Sequence, residues 1–175
     1  MTHEEFEFYL EMVQKDGLSL RFVKQTEEIC LAAVRQNGWA LRFVKEQTPE
    51  ICLEAVKQDW RVFHNVKEQT PELCLEAVRQ KWLALEYVKE QTPELCLEAV
   101  KENGWALQFV KEQSQEICLV AVKENGWALQ FVKEQNPEIC LAALDQNYEA
   151  AFKYIDEQNR KYILENTYFK RIRME

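Results

Sequence analysis

Residues 92–113 read TPELCLEAVKENGWALQFVKEQ, and close copies of this phrase stand on both sides of it. The cysteines mark the period: Cys30, Cys52, Cys74, Cys96, Cys118 and Cys140 are each 22 residues apart. A fixed period of this length is the signature of a repeat architecture. Cutting before the threonine or its equivalent gives five gapless repeats, 26–47, 48–69, 70–91, 92–113 and 114–135, then one of 23 residues, 136–158. A shift of 21 aligns YLEMVQKDGLSLRFVKQ with CLAAVRQNGWALRFVKEQ, which makes 1–25 a divergent N-terminal cap unit with Tyr9 at the cysteine position. Residues 159–175, NRKYILENTYFKRIRME, follow no repeat and read as a C-terminal capping helix. The chain, 1–175, is therefore read as a single helical-repeat domain.

Within a repeat, Thr48 is an N-cap, Pro49 suits the first helical position, and Glu50 lies in the first turn against the helix dipole. Ile51, Cys52, Ala55 and Val56 form one apolar stripe, and Glu54 and Lys57 are spaced to pair on the wet side. Asn37-Gly38, Asn103-Gly104 and Asn125-Gly126 are read as supplying a left-handed residue that stops the helix. A second helix is expected through Trp105, Ala106, Phe109 and Val110. Two helices of roughly 8 to 10 residues are too short to be stable alone in water, so each repeat must lean on its neighbours. The expectation is an all-α, right-handed α-hairpin solenoid, or superhelix, with capping units at both ends. One long lipid-binding amphipathic helix of period 22 is the competing reading, and the mid-repeat Asn-Gly breaks it.

Composition narrows the function. Of 175 residues, 47% are hydrophobic and 30% charged, with 22 Lys and Arg against 30 Asp and Glu for a net charge of −8. A chain of this size and balance builds a core. No apolar run approaches the roughly 18 residues of a spanning helix, and the N-terminus is acidic where a signal peptide would be basic, so a cytoplasmic protein without a membrane role is expected. Residues 1–152 hold 16 basic and 26 acidic side chains, a balance that repels phosphate and argues against direct nucleic-acid binding. Two histidines, His3 and His64, two serines, Ser19 and Ser114, and no glycine-rich loop leave little raw material for catalysis, and no enzyme is expected.

The repeats, PEICLEAVKQ followed by NGWAL and FVKEQ, resemble the family described only as domain of unknown function 4116, tandem short helical repeats of bacterial and large-virus proteins. The resemblance covers about residues 5–158. It implies architecture and no activity. Asp59-Trp60 and Lys81-Trp82 replace Asn-Gly, and the turn is left open there.

Six cysteines invite a disulfide or metal reading, which the spacing opposes. Helices of adjacent repeats pack about 8 to 10 Å apart, beyond disulfide reach, and no Cys-x-x-Cys or histidine cluster offers a zinc site. The cysteines are read as buried apolar filler, free and reduced, with no metal and no cofactor. The tryptophans at 39, 60, 82, 105 and 127 are read as core, a stacking platform being the alternative. The lysine row at 45, 67, 89, 111 and 133 and its glutamate neighbours are read as solvated scaffold worth a few tenths of a kcal/mol per pair.

Information is expected where repeats differ. One position, read as early in the second helix, runs Arg21, Arg42, His64, Glu86, Gln108, Gln130, and a mid-helix position runs Ala32, Glu54, Glu76, Glu98, Val120, Ala142. Repeat 48–69 is the most divergent: Asn65 stands where Phe43, Tyr87, Phe109 and Phe131 stand elsewhere, beside Trp60, Arg61 and His64. Asn65 either marks a site or is turned outward by a local rotation that Trp60 causes. The expected function is a non-enzymatic scaffold, monomer or weak homodimer, binding another protein through the row that includes Arg21, Arg42, His64, Glu86, Gln108 and Gln130 and through the region of Trp60, Arg61 and Asn65. An acidic decoy of a nucleic-acid-handling protein and a small-molecule receptor near His64 and Asn65 are the alternatives.

Overall fold

The computed structural model describes residues 1–172, and the side chains of 150 and 167–172 are left aside. Among the described residues the chain is helical throughout, without strands, in a repeating solenoid of α-helix and 3-10 turn. Two compact units are distinguished, Met1–Lys89 and Glu90–Glu175. The first holds α1 (His3–Lys15), α2 (Glu27–Gln36), α3 (Pro49–Gln58) and α4 (Pro71–Gln80), each followed by a six-residue 3-10 turn: Gly17–Phe22, Gly38–Phe43, Trp60–Asn65 and Trp82–Tyr87. The second holds α5 (Pro93–Glu102) and α6 (Gln115–Glu124) with turns Gly104–Phe109 and Gly126–Phe131, then α7 (Pro137–Gln146), α8 (Tyr148–Tyr154) and α9 (Glu157–Ile172).

The helix starts are those the sequence predicts. Thr26, Thr48, Thr70, Thr92, Ser114 and Asn136 each accept the backbone N–H three residues on, and Pro49, Pro71, Pro93 and Pro137 follow the cap directly. In the N-terminal cap unit Thr2 and Glu5 form a reciprocal capping box. The inward stripe is as expected: Ile51, Cys52, Ala55 and Val56 are buried, and so are their counterparts in the other five cysteine-bearing repeats, with the single exception of Leu144, at the Val56 position, which is half-buried.

The second element differs from expectation. It is a 3-10 turn of six residues where an α-helix of 8 to 10 was expected, and the reason is reach. At about 2.0 Å per residue it spans ~12 Å, against ~9 Å for six α-helical residues, and so runs back along a partner helix of about 15 Å. Its inward residues accordingly recur every three, Gly104, Leu107 and Val110, with Ala106 beside them. Phe109 and Trp105 are half-buried, and Trp127 is 37% exposed. The tryptophans thus rim the core and do not fill it. In the last repeat the additional residue lets α8 replace the turn, and α9 begins at Glu157, two residues before the expected capping segment, and packs on α7. The tail side chains of Tyr168, Phe169 and Arg171 lie outside the described residues.

The Asn-Gly stop also works differently. No residue among those described has a positive φ. Asn103 is extended, φ −158°, and its carboxamide accepts the N–H of Trp105, so the asparagine starts the turn. Asp59 and Lys81 keep that backbone, φ −157° and −160°, so the turn survives the loss of Asn-Gly. Glycine is there for close approach: a Cβ on Gly104 would lie 2.3 Å from the carbonyl oxygen of Ala121 in the next helix, and one on Gly38 2.7 Å from that of Ala55. Where Trp60 takes this position, its turn touches the next helix less extensively.

One contact set joins successive repeats within each unit. The glutamine that ends each VKEQ phrase, or the VKQ of the N-terminal cap unit, uses both ends of its amide on the backbone of the next repeat. Gln47 Nε2 donates to the carbonyl of Asn65 at 3.0 Å while its Oε1 accepts the N–H of Lys67 at 3.0 Å. Gln25 does the same to Phe43 and Lys45, and Gln69 to Tyr87 and Lys89. In the second unit Gln91 holds Phe109 and Lys111, Gln113 holds Phe131 and Lys133, and Gln135 holds Tyr154 and Asp156.

Replacing Gly104 with alanine forces a methyl group against backbone that cannot step aside, and is expected to cost about 1–3 kcal/mol. At Gly126, where the nearest contacts are 2.9 Å and include the side-chain oxygen of Gln146, the same change is expected to cost less. Urea midpoints of the two variants check the order; equal, negligible losses would remove the close-approach argument.

Candidate functional site

The variable row proves to be the fifth residue of each six-residue turn, late in the second element where an early place was expected. Arg21, Arg42, His64, Glu86 and Gln108 are exposed and Gln130 is half-buried. In the 3-10 geometry these side chains lie over the residue three places back. Gln108 and Gln130 donate to the carbonyls of Trp105 and Trp127 at 3.0 Å, and His64 sets Nδ1 against the carbonyl of Arg61.

In the first unit the row carries aromatic and cationic groups in contact. The Arg21 guanidinium lies 4.4 Å from the centre of the Phe22 ring and 5.9 Å from that of Phe43, and Arg42 lies 4.6 Å from Phe43. Phe22 is 69% exposed. His64 sits between Trp39, at 5.8 Å, and Tyr87, at 5.9 Å, so three successive repeats present a continuous run of rings. Trp39 and Tyr87 belong to this site although the variable row alone does not mark them. Their signal lies in the repeat spacing: in the second unit Trp105 meets Phe131 and Trp127 meets Tyr154, edge to face. That spacing pairs Trp39 with position 65, where asparagine stands.

Arg61 and Trp60 are placed differently. Arg61 is exposed and closes on the Asp59 carboxylate, Nη2 to Oδ2 at 2.7 Å, and the same carboxylate accepts the Trp39 indole N–H at 3.1 Å. The Arg61 hydrogen bonds hold the Asp59 carboxyl below its ordinary range. Trp60 is half-buried at the glycine position. Asn65 is not rotated outward. Its backbone keeps the register of Phe43 and receives the Gln47 amide, and its Nδ2 is buried without a hydrogen-bond partner. An unpaired buried amide costs about 1–3 kcal/mol. Two open clefts on this unit, one lined by Gln25, Cys30 and Lys45 and one by Leu10, Leu31 and Arg35, include neither His64 nor Asn65.

The cysteines are all free and buried, and they do more than fill space. The thiols of Cys30, Cys52, Cys96, Cys118 and Cys140 lie 3.5–3.8 Å from the Oε1 of the glutamine five residues earlier, as weak donors to the amide that joins repeats. The lysine row also ties repeats together. Lys67 Nζ donates to the Lys45 carbonyl, Lys89 to Lys67 and Lys133 to Lys111, at 2.6–2.9 Å. No cluster that could hold a metal ion occurs among the described residues.

Five stretches, residues 6–48, 26–70, 71–113, 92–135 and 114–160, match the family described as domain of unknown function (DUF4116). No curated protein and no solved structure matches the chain.

Burial pushes the thiols of Cys30, Cys52 and Cys140 up to about 11 and raises those of Cys74, Cys96 and Cys118. Unfolded thiols ionise near ~8.5. Above that pH the unfolded chain holds fewer protons than the folded one, so stability falls as pH rises from about 8.5 towards 11. The fall in melting temperature over this window is expected to shrink in a Cys52→Ala/Cys140→Ala variant; an identical fall would show that other groups control it.

Proposed function

We propose, for a chain that belongs to the family of domain of unknown function 4116, a non-enzymatic scaffold role: binding another protein through the exposed row on its 3-10 turns. The supporting observation is how the two kinds of position are used. Residues that recur in the repeats, the threonine cap, cysteine, glutamine and lysine, are engaged in starting helices and holding repeats together. The row of Arg21, Arg42, His64 and Glu86 is exposed, changes from repeat to repeat, and in the first unit adjoins the Trp39, His64 and Tyr87 rings. Aromatic and arginine side chains are the ones that most often anchor protein interfaces. His64 lays its ring beside Trp39 and Tyr87 and sets Nδ1 against a carbonyl, which fixes the ring in place on this surface.

A second reading, an acidic decoy for a basic partner, rests on Glu46, Glu50, Glu68 and Glu72, which stay exposed while Lys67 turns to a backbone carbonyl. The two readings differ in salt dependence: a partner of the glutamate edge should dissociate steeply with added salt, one held by the ring run much less.

Charge reversal at Arg42 and Glu86, Arg42→Glu with Glu86→Lys, is expected to lower recovery of a captured partner at least tenfold with the melting temperature unchanged. Undiminished capture would exclude the row.

A further inference from the structure

Arginines of the first unit are used in two ways. Arg35 pairs with Glu50 and Glu54, and Arg61 with Asp59. Arg21 and Arg42 have no carboxylate within ion-pairing distance among the described residues, in a chain where acidic side chains outnumber basic ones 30 to 22. They are nonetheless placed: both guanidinium groups rest near the Phe43 ring, at 5.9 and 4.6 Å, and are therefore no more than about 10.5 Å apart.

We infer that Arg21 and Arg42, held on the Phe22 and Phe43 rings, form a paired carboxylate receptor for an acidic segment of the partner protein. A guanidinium stacked on a ring keeps its donor edge free, and that edge matches a carboxylate through two parallel hydrogen bonds. The ring contact also pre-orients a long side chain, which reduces the entropy lost when it is engaged. The upper bound on the separation admits such a ligand. Acidic residues two apart on an extended segment project to one side about 6.8 Å from each other, within the reach of both groups. The surrounding acidic surface disfavours a long polyanion such as a nucleic acid, whose charge extends well beyond two neighbours, and leaves a short segment with a few carboxylates as the favoured occupant. Charge complementarity thus selects the occupant, and Phe22, 69% exposed beside Arg21, supplies apolar contact at the edge.

The inference rests on the proposed partner-binding role, and its test separates the two. Fluorescence anisotropy of the full chain with a dye-labelled peptide alternating glutamate and serine is expected to show binding that weakens with salt. Binding should weaken at least tenfold in Arg21→Ala/Arg42→Ala at an unchanged melting temperature, and should be absent with the glutamine counterpart. An Arg21→Lys/Arg42→Lys variant, which keeps the charge and loses the planar fork, should bind more weakly than the parent. No binding, equal binding of the glutamine peptide, undiminished binding by the alanine variant, or displacement of the peptide by a single-stranded oligonucleotide at equal charge would overturn the carboxylate receptor. The row itself is judged separately, by the capture experiment with Arg42→Glu and Glu86→Lys.

Discussion

Inside each unit, the fold depends on a primary amide reaching the backbone of the next repeat. A glutamine offers one acceptor and one donor in a plane, and the carbonyl of residue 65 with the N–H of residue 67 presents the complementary pair to Gln47. Neither backbone group has a place in a regular helix, since they lie at and just beyond the end of the 3-10 turn, and a buried backbone group without a partner costs as much as a lost hydrogen bond. The glutamine satisfies both and thereby sets the separation and register of neighbouring repeats. Its carbonyl also takes the cysteine thiol, so the helix that follows it and the turn of the next repeat meet at one group.

This constraint explains the roles of the other recurring residues. The cysteine must be small, buried and a weak donor. The threonine cap must follow the glutamine at once so that the next helix starts where the amide is fixed. Glycine lets the turn approach the following helix, and two of its replacements, Trp60 and Trp82, lie in the first unit, which also holds Asn65 with its unpaired amide, while Tyr148 replaces it in the last repeat. That unit carries the aromatic and cationic run.

Most of the architecture is legible in the sequence because repetition displays helix caps, stripes and period directly. Thr48, Pro49 and Ile51 sit as their types predict. The second element differs in kind: Trp105, Ala106, Phe109 and Val110 fit a 3.6-residue period, whereas Gly104, Leu107 and Val110 carry the period of three that the backbone adopts. Asn-Gly suggests a left-handed stop, but the glycine answers to a carbonyl in the next repeat, a demand no local rule contains. The glutamines escape notice because a polar residue at a repeat end reads as solvated, and only the backbone of the next repeat reveals its partners. At the candidate site, the row of Arg21, Arg42, His64 and Glu86 is found by comparing repeats. The contacts of Trp39, His64 and Tyr87 are not, since they depend on which ring fills the space that Asn65 leaves.

Native-state hydrogen exchange at the backbone amides of Lys45, Lys67, Lys89, Lys111 and Lys133 tests the glutamine joint most directly, because these residues are exposed and outside every helix, yet each N–H is held by a glutamine oxygen at 2.9–3.0 Å. The account predicts protection comparable to that of amides in the buried stripe, lost at Lys133 when Gln113 is replaced by alanine. Exchange of these five amides at the rate of an unstructured chain would contradict it.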